Sequence, residues 1–337
     1  MKTFEHGGQI EKFALELGCN VSEIIDLSSN INFVKPQINV DFNTLDISSY
    51  PTYDKLYEKI ASNYGVQCDE IELFNGGSSA IFTLFKHLAL DSCTIYSPAY
   101  LEYKKASLNF GYKLNLINRF ENIDVEVKKN SLVIFVNPST PDGKYYELEE
   151  LMKKWIENSC TILIDESFLD FCDKPSAIEY LKTYDKLYIL KSMTKFYSSA
   201  GIRVGTIVST KENIEKLKEF EPMWKLSQFD SIYLQEALKD EEFKTISKEI
   251  NIKNRLELEE ILRNSSLVEE IFESSANYLL IKLKNISASK FQELLKPYKI
   301  MIRDCSNFDF LDDRFVRIAV KSSSANERLK KALEEIC

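Results

Sequence analysis

The segment "KLYILKSMTKFYSSAGIRVGTIV" (residues 186–208) places a polar stretch between two short apolar runs. The polar stretch brings two hydroxyl groups (Ser192 and Thr194), an amine (Lys195) and a guanidinium group (Arg203) close together in the chain. Short runs rich in Ile, Leu and Val are typical of strands that are buried on both faces of a sheet. Hydroxyls and an arginine after such a strand favour an anion site, and Lys195 supplies an amine beside it.

Similar apolar runs recur through the middle of the chain, with amphipathic stretches such as "ELEELMKKWIEN" (147–158) between them. These other runs are "CTIYS" (93–97), "SLVIFVNP" (131–138), "CTILIDES" (160–167) and "VGTIVST" (204–210). Alternating strands and helices predict βαβ units and an α/β fold with a mostly parallel sheet. Ligands bind at the carboxyl ends of the strands in such sheets, so reactive residues at those ends are candidate site residues.

Two more segments carry reactive residues at predicted strand ends. The run "CTILIDE" ends in Asp165 and Glu166. The segment "IELFNGGSSAIFTLFKHL" (71–88) predicts a strand, a glycine turn and then a helix, with Gly77 and Ser78 at the start of the helix. Backbone N–H groups and a hydroxyl at a helix N-terminus suit a phosphate group.

The sequence pattern changes after about residue 221. A charged helical segment at 240–264 is followed by a block of short apolar runs and helices, which is typical of a small α+β domain. We therefore predict a large domain over residues 35–235. Residues 1–34 and 236–337 are expected to form the smaller domain together.

Composition excludes several classes of protein. The formal net charge of −9 argues against general affinity for nucleic acid. No apolar run approaches the roughly 20 residues of a membrane span, and the N-terminus lacks the apolar core of a signal peptide. The seven scattered cysteines predict reduced thiols in a cytoplasmic protein. Two histidines, His6 and His87, do not predict a metal site.

Together these motifs resemble the fold-type I enzymes that depend on pyridoxal 5'-phosphate, in the class I and II aminotransferase group. The Ser192-x-x-Lys195 spacing, with Arg203 eight residues after the lysine, is similar to the cofactor-lysine motif of that family. Asp165 lies where the family has the partner of the pyridine nitrogen. The turn "NPSTPDG" (137–143) is similar to the family's Asn-Pro-x-Asn-Pro-Thr-Gly turn, and "SSYP" (48–51) and "SPAYLEY" (97–103) also occur in family order.

The resemblance implies roles around the cofactor. Lys195 is expected to bond to the aldehyde of pyridoxal 5'-phosphate and later to transfer a proton, which requires a neutral amine. Asp165 is expected to face the pyridine nitrogen and keep it protonated. The phosphate of the cofactor is expected to lie in a phosphate cradle formed by Gly77, Ser78, Ser192, Thr194 and Arg203.

Three tyrosines have roles that the resemblance implies. Tyr103, with Tyr100 as the alternative, is expected to stack on the cofactor ring. Tyr50, in "SSYP", is expected to reach the cofactor phosphate in the neighbouring subunit. The protein is therefore predicted to be a homodimer with a shared active site.

A closer resemblance exists within the group. The segments "HGGQIEKFALELG" (6–18), "IDLSSNINF" (25–33) and "MIRDCSNF" (301–308) resemble threonine-phosphate decarboxylases, the cobalamin-pathway relatives of histidinol-phosphate aminotransferases. This resemblance implies decarboxylation of threonine phosphate or serine phosphate to the amino-alcohol phosphate. The two substrates stay open because one methyl group is worth only about 1–3 kcal/mol. The alternative is an aminotransferase of the histidinol-phosphate type.

The closer resemblance also implies how the substrate is held. Arg317 resembles the family arginine that pairs with the substrate carboxylate. The candidates for binding the substrate's own phosphate are His6, Asn32, Arg303 and Lys321.

The chain departs from the family pattern at positions where many relatives contact the phenolic oxygen of the cofactor. Thr140 and Phe168 stand where those relatives have Asn and Tyr. Phe168 agrees with the decarboxylases, whereas Thr140 departs from both groups. A non-catalytic, regulatory fold-type I domain is the non-enzyme alternative, and the intact Lys195 motif disfavours it. A Rossmann dehydrogenase is set aside because no Gly-x-Gly-x-x-Gly follows a predicted strand.

Overall fold

The structure is a computed structural model that describes residues 7–336, so the candidate substrate residue His6 lies outside the described residues. The helices are α1 (Ile10–Leu17), α2 (Asp54–Tyr64), α3 (Gly76–Leu88), α4 (Leu101–Asn109), α5 (Glu149–Glu157), α6 (Met193–Phe196), α7 (Lys211–Lys218), α8 (Gln228–Ala237), α9 (Glu241–Arg263), α10 (Ala288–Leu295) and α11 (Ser323–Ile336). The strands are β1 (Ile25–Asp26), β2 (Ile71–Phe74), β3 (Ser92–Ser97), β4 (Lys113–Asn118), β5 (Leu132–Val136), β6 (Thr161–Asp165), β7 (Leu187–Ser192), β8 (Gly205–Val208), β9 (Val268–Ile271), β10 (Tyr278–Leu283), β11 (Ile300–Met301), β12 (Arg303–Asp304) and β13 (Phe315–Ala319).

The larger sheet has seven strands in the order β2-β8-β7-β6-β5-β3-β4. Strand β8 runs antiparallel to both of its neighbours, and the other neighbouring pairs are parallel. The central strands β5, β6 and β7 are almost wholly buried, as their apolar runs predict. Helices cover the sheet, and the predicted α/β fold with a mostly parallel sheet is confirmed.

The end of β7 shows how the larger sheet divides its side chains between two faces. Ile189 belongs to the hydrophobic cluster on one face, and Leu190 belongs to the cluster on the other. Side chains alternate along a strand, so Lys191 returns to the first face and Ser192 to the second. This alternation decides which residues at the carboxyl end of β7 reach the cavity there, and Ser192 lines it whereas Lys191 does not.

The smaller sheet has four antiparallel strands in the order β12-β13-β10-β9, and its apolar core includes residues of α9, α10 and α11. Arg303 on β12 lies directly opposite Arg317 on β13. Directly opposed residues of an antiparallel pair share one face, so both arginines lie on the same side of this sheet. The short strand β1 pairs in parallel with β11 and attaches the N-terminal segment here.

Helix α9 connects the two cores. Phe243, near its start, packs in the cluster of the larger sheet, whereas Leu258 and Leu262 pack in the cluster of the smaller sheet. The division into domains at 35–235 and at 1–34 with 236–337 stays a prediction. Among residues 7–336, no helix is long and apolar enough to cross a bilayer.

Candidate active site

A cavity of about 440 Å³ lies where the carboxyl ends of β6 and β7 meet the smaller sheet. Its walls come from distant parts of the chain. The predicted site residues that line it are Gly77, Ser78, Tyr100, Thr140, Asp165, Ser192, Thr194, Lys195, Arg203, Arg303 and Arg317. The fold therefore brings most of the predicted site residues together in one place.

Lys195 lies in the short helix α6, directly after β7, and its side chain lines the cavity. Burial is the main cause that lowers the pKa of Lys195 to about 8, and the charges of Arg317 and Arg203 add to this effect. The charge of Asp165 opposes the shift and is the smallest of these four effects. Because a larger fraction of this amine is neutral near neutral pH, Lys195 is suited to attack a carbonyl group.

Asp165 ends β6, and both of its carboxylate oxygens are held from within the protein. Oδ2 accepts a hydrogen bond from the hydroxyl of Tyr103 at 2.6 Å. Oδ1 accepts from the backbone N–H and the hydroxyl of Ser167 at 2.9 and 2.5 Å. Burial raises the pKa of Asp165, and the hydrogen bonds from Ser167 and Tyr103 oppose that shift. The result is a fixed, desolvated carboxyl group that favours a cationic or N–H partner in the cavity.

The first turn of α3 supplies backbone N–H groups to the phosphate cradle. Gly76 has a φ of +81°, and a Cβ atom there would collide with the guanidinium group of Arg203. A Cβ atom on Gly205 would lie 2.6 Å from the backbone nitrogen of Gly77. Both glycines are thus required for the close approach of β8 and Arg203 to the start of α3. This arrangement matches what a phosphate needs, which is free N–H groups beside an arginine.

Three hydroxyl groups complete the phosphate cradle. Ser192 Oγ and Thr194 Oγ1 lie 3.0 Å apart, and Ser78 Oγ lies 3.1 Å from the hydroxyl oxygen of Tyr100. These groups point into the same cavity as Lys195. The donor set of hydroxyls, backbone N–H groups and one guanidinium group fits a phosphate ester bound next to the amine.

Arg317 reaches the cavity from the smaller sheet. Its Nη1 donates to Thr140 Oγ1 at 3.4 Å and its Nη2 donates to the Ser28 carbonyl at 3.2 Å. The guanidinium carbon lies 5.1 Å from the centre of the Tyr278 ring. The Nε of Arg317 is buried and has no hydrogen-bond partner in the described part of the chain. A buried donor without an acceptor is costly, so this edge of the guanidinium group is suited to an anionic ligand.

Arg303 lines the cavity beside Arg317. Its Nη2 donates to Asn307 Oδ1 at 2.8 Å, and its guanidinium carbon lies 5.5 Å from the centre of the Phe308 ring. Phe308 also lines the cavity. The two arginines give the cavity a second cationic region, separate from the phosphate cradle.

The expectation that Tyr103 stacks on the cofactor is corrected by the structure. Tyr103 is fully buried beneath the cavity, where its hydroxyl is used by Asp165. Tyr100, the stated alternative, lines the cavity instead. The two rings meet edge to face with centroids 6.1 Å apart. The start of α4 decides this outcome, because Tyr100 precedes its first turn and Tyr103 lies within it.

The expectation that Asn32 binds the substrate phosphate is also corrected. Its Nδ2 donates to the Phe196 carbonyl at 2.8 Å and to Ser247 Oγ at 2.6 Å. Its Oδ1 accepts from Asn251 Nδ2 at 3.0 Å. The side chain is buried, does not line the cavity, and joins the N-terminal segment to α6 and α9.

Lys321 does not line the cavity either. Its Nζ donates to the backbone carbonyl of Ile31 at 2.9 Å, and burial lowers its pKa. Because Ile31 does line the cavity, Lys321 supports the cavity wall rather than presenting its charge to a ligand. The expected direct contact between Lys321 and a substrate phosphate is therefore corrected.

Two predicted residues lie at the limits of the structure. His6 is outside the described residues, but Gly7 and Gly8, which follow it, line the cavity. Tyr50 lies on the surface, 72% exposed, with its ring stacked on Trp224 at a centroid distance of 4.1 Å. The role of Tyr50 toward a second subunit stays a prediction.

Several residues that shape the cavity are not among the predicted site residues. Ser28 lines it, accepts from the Gly8 N–H at 2.9 Å and accepts from Arg317 through its carbonyl. Ser28 and Phe308 both lie in segments that carry the closer resemblance, so a signal was present for them. Arg119 donates to the backbone carbonyls of Pro98 and Thr140, in two turns that carry cavity residues, and it lies outside the family-like sequence motifs.

The fold and the cavity define an enzyme of fold type I that depends on pyridoxal 5'-phosphate. The family profile described as "Aminotransferase class I and II" matches residues 23–336. The chain therefore belongs to this family, and pyridoxal 5'-phosphate is its cofactor.

Relatives of two kinds are among the matches. The adenosylcobalamin biosynthesis bifunctional protein CobDQ of Leptospira interrogans is 30% identical over 98% of this chain, and the match covers 41% of that longer protein. A threonine-phosphate decarboxylase of Salmonella typhimurium is 25% identical over 98% of this chain and 96% of its own length. The solved histidinol-phosphate aminotransferase of Clostridium acetobutylicum is 30% identical, with a TM-score of 0.81 over 92% of this chain and 98% of that one.

Proposed function

We propose that this protein decarboxylates an O-phosphorylated amino acid, threonine phosphate or serine phosphate, to the matching amino-alcohol phosphate. The observation that carries the proposal is that Arg303 and Arg317 face the same cavity as Lys195. Two guanidinium groups match a substrate that has both a phosphate and a carboxylate beside its amine. Similarity to CobDQ and to a threonine-phosphate decarboxylase supports this reading, and a cobalamin-type pathway in the cytoplasm is part of the proposal.

The alternative is an aminotransferase of the histidinol-phosphate type, which the 30% identity with the Clostridium acetobutylicum enzyme favours. Histidinol phosphate has an amine and a phosphate but no carboxylate. In that reaction Arg317 would serve only the second substrate. A phospho-amino acid uses both arginines in one binding event, which is why we place decarboxylation first.

The cofactor is proposed to be held by groups that the cavity presents. The phosphate cradle would bind its phosphate, Asp165 would pair with its ring nitrogen, Tyr100 would cover its ring, and Thr140 would contact its phenolic oxygen. When bound, pyridoxal 5'-phosphate supplies an electron-accepting ring joined to the substrate amine. Lys195 is the amine to which the cofactor is proposed to be attached between turnovers.

Lys195 is also the proposed proton donor. Decarboxylation removes the substrate carboxylate as CO₂, and Cα gains one proton in its place. Nζ of Lys195 has a pKa near 8, so it holds and releases a proton within the working range of pH. Arg317 and Arg203 keep this pKa low through their positive charges, and Arg317 therefore affects both substrate binding and proton transfer.

The two arginines are proposed to select the bond that breaks. In this proposal, Arg303 and His6 bind the substrate phosphate, and Arg317 binds the substrate carboxylate. Holding both ends of the substrate fixes the rotation about the bond between its amine nitrogen and Cα. That rotation decides which bond of Cα is broken. Arg317 is already oriented by Thr140 and Ser28 before any substrate binds. Little reorganisation is then needed on binding.

The proposed working form is a homodimer with a shared active site. Several large apolar side chains in the segments 47–50 and 223–229, which meet where Tyr50 stacks on Trp224, are exposed in the single chain, and such exposure is typical of an interaction surface. They are Ile47, Tyr50, Met223, Trp224 and Phe229. A second copy of the chain that covers this surface would bring Tyr50 to the partner's phosphate cradle.

Product analysis tests the proposed function. The holoenzyme is incubated separately with O-phosphothreonine, O-phosphoserine and histidinol phosphate, each with and without 2-oxoglutarate. We expect CO₂ and an amino-alcohol phosphate from a phospho-amino acid, with no need for 2-oxoglutarate. Formation of glutamate from histidinol phosphate and 2-oxoglutarate, without CO₂, would instead establish the aminotransferase.

A further inference from the structure

Arg119, directly after β4, ties together two turns that carry cavity residues. Its Nη1 and Nη2 pair with the two carboxylate oxygens of Asp142 at 2.9 and 2.5 Å. Nη2 also donates to the backbone carbonyls of Pro98 at 3.0 Å and Thr140 at 3.2 Å. One side chain therefore holds the turn that precedes Tyr100 and the turn at 137–143.

The turn at 137–143 departs from the motif Asn-Pro-x-Asn-Pro-Thr-Gly at two positions, Thr140 and Asp142. The two departures are connected in the structure. Asp142 binds Arg119 and accepts a hydrogen bond from Ser139 Oγ at 2.8 Å. Thr140 presents its carbonyl to Arg119 and its Oγ1 to Arg317. Hydrogen bonds thus connect Asp142 through Arg119 to the backbone of Thr140, and the side chain of Thr140 to Arg317, which lines the cavity.

The pair is deeply buried, since the side chains of Arg119 and Asp142 are each only 1% exposed. Arg119 also donates to the hydroxyl of Tyr146 at 3.3 Å and lies over the Phe120 ring at 4.6 Å. A bidentate pair in this setting fixes geometry as well as charge. Its position is therefore set by the protein and does not depend on a ligand.

We propose that Arg119 and Asp142 are positioning residues for the substrate carboxylate. They fix the position of Thr140. Its Oγ1 accepts a hydrogen bond from Nη1 of Arg317, and the Ser28 carbonyl accepts one from Nη2. This arrangement leaves Nε of Arg317 buried without an acceptor, and Arg317 lines the cavity in which a ligand carboxylate would supply one. The inference rests on the proposed function, because it takes Arg317 as the carboxylate-binding residue.

The test compares two ligands that differ only at the carboxylate. 3-Phosphoglycerate and glycerol 3-phosphate both lack an amine, so neither reacts with the holoenzyme, and calorimetric titration gives their dissociation constants. We expect wild-type holoenzyme to prefer 3-phosphoglycerate by about tenfold or more, as for a charge-assisted bidentate contact. In the double variant Arg119→Met/Asp142→Thr, which leaves no unpaired buried charge, this preference is expected to fall to about twofold. The affinity for glycerol 3-phosphate is expected to stay unchanged.

Two further variants keep the test independent of folding. Arg119→Lys keeps an ion pair with Asp142 but cannot reach both carbonyls, so an intermediate preference is expected. Arg263→Met makes the same chemical change in an exposed pair with Glu259 and is expected to leave the preference intact. Equal weakening of both ligands, or an unchanged preference in the Arg119 variants, would overturn the positioning role. A wild-type enzyme without any preference for 3-phosphoglycerate would contradict the proposed function itself.

Discussion

Lys191 and Lys195 are four residues apart, but they lie on opposite sides of the larger sheet. Lys191 donates to Glu166 and lies 4.8 Å from the centre of the Tyr64 ring, so its charge is satisfied within the protein. The side-chain amine of Lys195 has no ion-pair or hydrogen-bond partner among the described residues, and burial lowers its pKa to about 8. The two environments give the same residue type two different chemistries.

The neighbouring carboxylates show the same contrast. Glu166 accepts from Lys191, from Ser176 Oγ at 2.7 Å and from the Ala177 N–H at 2.6 Å. Among residues 7–336, Asp165 accepts only from uncharged donors, and burial raises its pKa. On one side of the sheet, Lys191 and Glu166 complete each other's charge and form a structural pair. On the other side, Lys195 and Asp165 lack such a pair, and a ligand has to complete it.

The largest expected effect follows from removing Lys195. We expect Lys195→Ala to lower kcat for CO₂ release by about 10²–10⁴-fold or more, because the proposed proton donor is lost. Thermal denaturation of the cofactor-free variant should show no loss of stability, since a desolvated amine has been removed. A variant that is fully active would contradict the assignment of Lys195.

Lys191→Met is the matched change on the other side of the sheet. It leaves Glu166 buried without its cation, so we expect the free energy of unfolding to fall by about 3–5 kcal/mol. Denaturant titration measures this quantity. The fraction that stays folded should still bind the cofactor. If Lys191→Met instead removed catalysis without lowering stability, the contrast between the two sides would be wrong.

The two lysines should also differ in the pH dependence of stability. The pKa of Lys195 is near 8 in the folded protein and has an ordinary value of 10.5, so the unfolded chain binds more protons between these values. Stability of the cofactor-free protein should therefore rise with pH from about 8 to 10.5, by up to roughly 3 kcal/mol. Chemical denaturation of wild type and Lys195→Met at several pH values isolates this contribution. An identical pH slope in both proteins would show that Lys195 is not buried as described.

The smallest expected effect concerns the proposed second subunit. Tyr50 of the partner subunit is proposed to complete the side of the sheet on which Lys195 and Asp165 lie. Tyr50→Phe removes one hydrogen bond to a charged phosphate, which is worth about 1.5–3 kcal/mol. We expect the dissociation constant of the cofactor to rise by about 10–100-fold. Tyr298→Phe, which removes a hydroxyl bound to Glu335 on the surface, is the control and should leave cofactor affinity unchanged. Full activity in a monomer, measured by ultracentrifugation and assay, would contradict the shared site.

The sequence predicted the parts of the site that follow strand ends at fixed spacing. Asp165, Ser192 and Lys195 were found because parallel strands end at one edge and because local spacing is preserved in the fold. Contacts between segments that are far apart in the chain could not be predicted from local spacing. Asn32 is held by Ser247 and Asn251, which are 215 and 219 residues away in the chain.

Local ambiguity explains other differences between prediction and structure. Which of Tyr100 and Tyr103 faces the cavity depends on where α4 begins, and helix boundaries are the least certain feature of a sequence pattern. Arg119 was missed because its partners, Pro98, Thr140 and Asp142, lie in other turns. Partners that lie in other turns of the chain leave no local spacing pattern around Arg119 in the sequence.

Whether the cofactor is attached to Lys195 or to Lys191 can be read directly from the holoenzyme. Borohydride reduction makes the attachment permanent, and fragmentation mass spectrometry of the peptide that contains both lysines locates the pyridoxyl group. The contrast between the two sides of the sheet predicts the group on Lys195 and an unmodified Lys191. A pyridoxyl group on Lys191, or on any other lysine, would contradict it.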